Sequence, residues 1–315
     1  MEQTLGVLAH RGGLIADRPE LTVGVVQVIS RPTGLDLELI ARRPLDRRSA
    51  AERQADIRAG RPGPEPAARR LLPRYDEGLD LRVGRLDDDG RAHWQFAVSS
   101  SSASGDHSGG VHGPWLRMTV RLPPLFDRLA LVLAWPEIGF PETVVELPLP
   151  DRATVDRDTV SVWDAPVRSV PPPAGLRYRT GSFPADEPYA ETGRIVVPPR
   201  VLARSDDAVV VLSRLTEVGD SLSLELACLA NAYIPPGPSI DTFAGAAVAV
   251  VRDGEATWIS AHTAGAGGGV LTFQSTAEYT ITRPPGDVLP LLISWPAADL
   301  PDAYVDLPLD YNEIQ

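Results

Sequence analysis

The sequence contains no lysine; all 30 of its basic residues are arginine. Surface chemistry does not require this, since lysine serves well on exposed faces, and coding preference in a GC-rich bacterial genome explains it better. There is one cysteine, Cys228, so neither an intrachain disulfide nor a thiolate metal set is expected. Long apolar runs are missing as well. The longest, residues 129–135, falls far short of the roughly 20 residues a membrane helix needs. Residues 1–13 have no basic stretch leading into an apolar one, the mark of a secretory signal. These absences set the expectation of a cytoplasmic protein with no membrane anchor. Acids outnumber bases, 42 to 30, and the net charge of −12 argues against nucleic acid as a general partner.

What is present is a repeat. Leu129 opens LALVLAWPEIGFPETVVELPLP, and Leu289 opens LPLLISWPAADLPDAYVDLPLD, with Trp135-Pro136 falling on Trp295-Pro296. Upstream, LIADRPELTVGVVQVISRPTGLDLELIA from Leu14 matches VLARSDDAVVVLSRLTEVGDSLSLELAC from Val201 without a gap. Gly90 to Trp94 matches Gly254 to Trp258. Three blocks in one order, with changing offsets, mean duplication followed by change in the loops.

Both copies have the pattern of strands. Leu35, Leu37 and Leu39 alternate with Asp36 and Glu38; Leu222, Leu224 and Leu226 alternate with Ser223 and Glu225. A period of two places the leucines in a core and the carboxylates in water. Turn signals at residues 31–34, 87–90, 219–221 and 252–254 separate such runs. About seven strands per copy are expected, which suggests an all-β chain of two tandem antiparallel β-sandwiches, immunoglobulin-like or of a related Greek-key kind. The first sandwich spans 1–150, a proline-rich linker or strap 151–190, and the second sandwich 191–315.

The first copy alone carries an arginine-rich insertion, at about 42–74, with ten arginines against four acids. Ser49 and Glu52 form a capping-box pattern and Gly60 a stop, which predicts a short helix between them. Arg47, Arg48, Arg53, Arg58, Arg69 and Arg70 are the candidate partner-binding residues, able to grip carboxylate or phosphate by bidentate contacts. The alternative is a solvated face whose arginines balance the acidic remainder of the molecule.

Other motifs carry less. His107, His112 and Asp106 could hold zinc only with a geometry that a Ser/Gly-rich run does not fix. Residues 263–270 are glycine-rich but lack the following helix and the lysine of a phosphate loop, and they are expected to form a hairpin loop. Trp94 with Trp258, and Trp135 with Trp295, occupy matched positions, as core anchors do. No metal or cofactor is expected.

Two resemblances stand beside this reading. Residues 8–13, Leu-Ala-His-Arg-Gly-Gly, followed by Arg18-Pro-Glu-Leu-Thr22, resemble the opening of glycerophosphodiester phosphodiesterases. That likeness implies a phosphoester hydrolase using His10 and Arg11, with Asp36 and Glu38 as the acidic pair, on a (β/α) barrel. It covers some 30 residues, has Leu21 where the family has asparagine, and lacks the alternating helices of a barrel. It is taken as a chance match. The Trp-Pro…Pro-Glu-Thr ending, residues 135–147, resembles uncharacterised actinobacterial proteins and implies no activity. The leading expectation is a non-enzymatic protein that contacts another protein through sandwich edges, loops or the arginine-rich insertion. A phosphoester hydrolase and weak nucleic-acid binding by the insertion are the alternatives.

Overall fold

The computed structural model describes residues 3–60, 64–73, 80–103, 113–181, 190–234, 244–268 and 272–309. It divides into two units. One comprises Val7–Asp158 with Tyr189–Thr192, and the other Met1–Gly6, Thr159–Pro188 and Gly193–Gln315.

The chain opens with a short strand β1 (Thr4–Leu5) and then builds the first sandwich. Its strands are β2 (Val7–His10), β3 (Gly13–Asp17), β4 (Thr22–Arg31), β5 (Gly34–Arg42), β6 (Arg82–Leu86), β7 (Ala92–Gln95), β8 (Ala97–Ala103), β9 (Trp115–Leu122), β10 (Arg128–Trp135) and β11 (Phe140–Pro148). One sheet runs β2-β4-β5-β9-β8 with β3 also on β4, and the other runs β11-β10-β6-β7. The neighbours β5 with β9, and β6 with β10, are distant in sequence and mark crossovers between the sheets. Leu35, Leu37 and Leu39 meet Leu129, Leu131 and Leu133 in one core. Helix α1 (Ala50–Arg58) lies in the insertion, and helix α2 (Arg152–Asp158) lies against β4 with Val155 buried.

The second unit repeats this order. Ahead of it come β12 (Val160–Ser161), which pairs with β1, and β13 (Arg177–Thr180). Then follow β14 (Arg194–Val197), β15 (Arg200–Arg204), β16 (Ala208–Val218), β17 (Ser221–Ala230), β18 (Ala247–Arg252), β19 (Glu255–Ile259), β20 (Thr263–Gly268), β21 (Phe273–Thr282), β22 (Val288–Trp295) and β23 (Leu300–Pro308). Its sheets run β14-β16-β17-β21-β20, with β15 on β16, and β13-β19-β18-β22-β23. Strand for strand, β14 to β23 reproduce β2 to β11. The chain is therefore an internally duplicated, all-β protein of two antiparallel sandwiches, and β13 on β19 is a parallel pair added to one of them.

The shared Trp-Pro ending has a structural cause. In both copies the strand shifts register before the tryptophan, a single 3-10 turn follows (Pro136–Ile138, Pro296–Ala298), and a left-handed residue closes it. That residue is Gly139, at φ 86°, in one copy and Asp299, at φ 50°, in the other. Proline suits the first position of such a turn because it needs no N–H there. Trp135 and Trp295 are buried core residues. Trp94 and Trp258, expected in the core, instead stand in the outward-facing rows Gly84-Trp94 and Ala249-Trp258.

The outer faces of the larger sheets are covered too, which changes the setting of the carboxylates. Glu38 is buried and Asp36 half-buried, not in open water. In the first sandwich the cover includes α2 and a 3-10 turn, Ala190–Thr192, from the linker. Glu191 of that turn is 2% exposed and takes a bidentate pair from Arg42, at 2.7 and 3.2 Å. A Cβ on Gly24 would lie 2.2 Å from the Glu191 carbonyl oxygen, so that position accepts no side chain. In the second sandwich the cover is residues 160–167, where Val162 and Ala165 pack on Val209, Val211, Ala227 and Leu229.

Candidate functional site

The larger sheet of the first sandwich ends on β8. This strand pairs with β9 on one side and, among the described residues, with no strand on the other. The Ser/Gly-rich run, expected to fix no geometry, is in part a strand: Ser99 to Ser102 are paired, in register with Thr119, Met118, Arg117 and Leu116. All four serines are exposed, as are Ala97 and Val98. Phe96, at the step from β7 to β8, is 97% exposed, and Val98 is 64% exposed. No residue from Gln95 to Ala103 ionises.

An exposed edge is a template for a further strand, and proteins normally guard it with charge, proline or shortness. Several other terminal strands here are guarded. β11 carries Pro141, Glu142, Glu146 and Pro148; β23 carries Pro301, Asp302, Asp306 and Pro308; β13 carries Arg177 and Arg179; β14 carries Arg194; β7 is short. β8 has a register shift between Ala97 and Ser99 and is regular from there on. Its counterpart β20 is likewise without charge, and residues 263–268 form a paired edge strand where a hairpin loop was expected. A strand of glycine and alanine shows no hydrophobic period, so nothing in its sequence marks it. The two edges differ beside the strand. By register, Phe96 and Val98 correspond to Ser260 and His262.

The six arginines do not form one surface. Helix α1 forms as the capping box predicts: the Glu52 amide donates to Ser49 Oγ at 3.2 Å, and the Ser49 amide donates to Glu52 at 2.7 Å. Arg48 is held by Asp46 and Asp56, at 2.7 and 2.9 Å. Arg48 in turn keeps the Asp46 carboxyl well below the usual carboxylate range. Arg53 donates to the Arg48 carbonyl at 2.8 Å, and Arg69 pairs with Glu137 at 2.6 Å. Arg47, Arg58 and Arg70 are exposed. Within residues 64–73 the insertion is a strap rather than a solvated loop. Glu142 accepts from the amides of Arg70, Leu71 and Leu72 at 2.9, 2.8 and 2.7 Å. Trp94 donates to the Leu71 carbonyl at 3.2 Å, and Arg82 shares Glu137 with Arg69. Hydrogen bonding from Arg82 holds the Glu137 carboxyl below its ordinary value.

The hydrolase residues are not assembled. His10 stands in the row of Val28 and Leu37, whose side chains enter the core, while Asp36 and Glu38 leave β5 on the opposite face. His10 Nδ1 accepts from the Gly12 amide at 3.1 Å, and burial lowers the pKa of its ring. Asp36 pairs with Arg31 and Arg121, and Glu38 with Arg117. The barrel implied by the His-Arg-Gly resemblance is replaced by a sandwich. His107, His112 and Asp106 lie outside the described residues. Among the described residues no three His, Cys, Asp or Glu side chains gather as a metal set, and no helix is long and apolar enough to cross a membrane.

No family model matches the chain, and no curated protein is significantly similar to it. Among solved structures, bovine butyrophilin aligns over 97% of this chain and 98% of its own, at 10% identity and a TM-score of 0.21. A conserved domain protein from Bacillus anthracis aligns over 98% and 91%, at 10% identity and a TM-score of 0.21. The CupB6 tip adhesin from Pseudomonas aeruginosa aligns over 95% and 99%, at 11% identity and a TM-score of 0.11. Superpositions this loose carry no argument about function.

Proposed function

We propose that the chain is a non-enzymatic binding protein whose contact with another protein is a strand added to β8. The observation that carries this is an uncharged edge strand with Phe96 fully in water beside it. Backbone hydrogen bonds to an added strand are worth about 0.5–1.5 kcal/mol each, and an aromatic anchor next to them supplies the apolar area that such contacts need. The arginine-rich insertion is the weaker site, since Arg48, Arg53 and Arg69 already serve contacts inside the first sandwich. A cytoplasmic setting belongs to this reading. Its support is the single cysteine, Cys228, which leaves no intrachain disulfide to form.

The test is capture from a lysate of the source organism with three full-length baits: the natural chain, Phe96→Ser/Ser101→Lys, and Arg47→Ser/Arg58→Ser/Arg70→Ser. A protein retained by the first and third and lost by the second supports the edge. Retention by the first two and loss by the third would move the contact to the insertion. Deleting the whole insertion is the poorer experiment, because it also strips the strap from Trp94.

A further inference from the structure

We infer that the strand added to β8 is β8 of a second copy of this chain, paired antiparallel about a two-fold axis. The inference rests on the strand-addition reading and names its occupant. Three observations favour a second copy over a foreign segment. First, the strand is self-complementary: in an antiparallel pair the run Ser99 to Ser102 meets its own reverse, so serine faces serine at its centre. Cross-strand hydroxyl pairs of this kind favour sheet pairing.

Second, charge selects the place. Two copies of a chain of net charge −12 repel one another, and facing ladders with like charges opposite are destabilising. Residues 95–103 are an uncharged strip on which identical strands approach without that penalty. Third, the contact is isologous, so each copy brings its own Phe96 and Val98 to it. An aromatic side chain offers roughly 150–250 Å². Two copies of Phe96 and Val98 with one strand edge fall short of the about 1,600 Å² of a standard stable interface. The dimer is therefore weak and exchanging. β20 has the bare strand without the anchors, which leaves its pairing weaker still.

Sedimentation velocity of the full-length chain, from low-micromolar to near-millimolar concentration, tests this. The natural chain is expected to shift from monomer towards dimer. Phe96→Ser, an exposed change that leaves the strand intact, weakens the association at least about tenfold, and Ser101→Lys abolishes it. Ala266→Lys, on β20, leaves it unchanged. Amides of residues 99–102 exchange more slowly as concentration rises in the natural chain and not in Ser101→Lys. A chain that stays monomeric throughout the range overturns the inference, as does a dimer indifferent to Phe96→Ser and Ser101→Lys. A dimer lost in Ala266→Lys overturns the symmetric pairing in favour of β8 on β20. If the chain is monomeric and yet Phe96→Ser/Ser101→Lys loses a captured protein, the self-pairing falls while strand addition stands. If neither association occurs, both fall.

Discussion

The two sandwiches share a strand order and differ in what covers them. On the outward row of the smaller sheet, Gly84-Trp94-Val132-Val144 corresponds to Ala249-Trp258-Leu292-Tyr304. The first copy covers this face from within, with a strap from its own insertion, held by carboxylates. The second borrows its cover from the linker: β13 pairs with β19, Tyr178 stacks on Trp258 at 6.2 Å, and Val170 bridges to Tyr304. The larger sheets differ in the same way. Gly24 and Val211 occupy one position, since β4 and β16 align without a gap. In the first copy the covering backbone touches the sheet, and only glycine fits; in the second the cover brings side chains, and valine packs against them. Duplication preserved the core and left each outer face to find its own lid.

The deepest asymmetry is ionic. Arg214, 1% exposed, pairs with Glu225 at 3.0 Å and Glu278 at 2.6 Å across three adjacent strands. At the matching position Gln27 donates to Glu38 at 2.9 Å, and the charge comes from Arg117 instead. Removing one partner of a buried ionic set leaves the others uncompensated, at a cost of about 3–5 kcal/mol. Arg214→Ala is therefore expected to lose about that much, and Gln27→Ala about 1 kcal/mol. Peptide-resolved hydrogen exchange suits this measurement, because one denaturation midpoint is ill-defined for a chain of two domains. Equal losses at the two positions would show that the rows are energetically alike.

Next in size is Gly24→Val, which makes the first copy read like the second. The methyls have no room beside Glu191, and overpacking of this kind costs about 1–3 kcal/mol. The expected sign is faster exchange at residues 190–192 and along β4, with β16 unaffected. A fully protected Glu191 amide in this variant would mean that the turn adapts.

How much of this the amino-acid order discloses depends on where each residue's partner lies. The core strands were legible because leucine alternation is a local signal, and α1 because the Ser49-Glu52 box is closed within four residues. The edge strands were not. β8 and β20 expose both faces and one edge, so no face demands apolar residues, and serine or glycine runs look like loops. The burial of Glu38 and Glu191, and the pairing of Arg69 with Glu137, depend on covers and partners that no spacing encodes. Composition alone made the insertion look like a site, whereas Phe96 stands alone in the sequence and only its exposure marks it.

Glu142→Ala tests the strap. Three amides lose their acceptor at once, and unsatisfied donors that are only partly buried cost about 1–2 kcal/mol together. Residues 70–72 are expected to exchange freely while β19 and β13 stay protected. Acid acts in the same direction. Glu137 has its pKa depressed by Arg82, so its contribution is present above the ordinary carboxylate range and is lost as pH falls through the depressed value. The strap of the first copy is expected to loosen with acid before the rest of its sandwich. An acid-indifferent strap would place its stability in Leu72 and Trp94 packing alone.

The smallest expected effect on folding is also the sharpest contrast. Phe96 and Ser260 hold one position in the two copies, and exchanging them, Phe96→Ser with Ser260→Phe, moves the aromatic from beside β8 to beside β20. Both sites are exposed, so stability is expected to stay within about 0.5 kcal/mol of the natural chain. If the anchor decides which edge is used, the swapped chain associates through β20. Amide protection with rising concentration then shifts from residues 99–102 to residues 264–267. If protection stays on residues 99–102, the serines rather than the aromatic select the edge, and Phe96 adds area without choosing the partner.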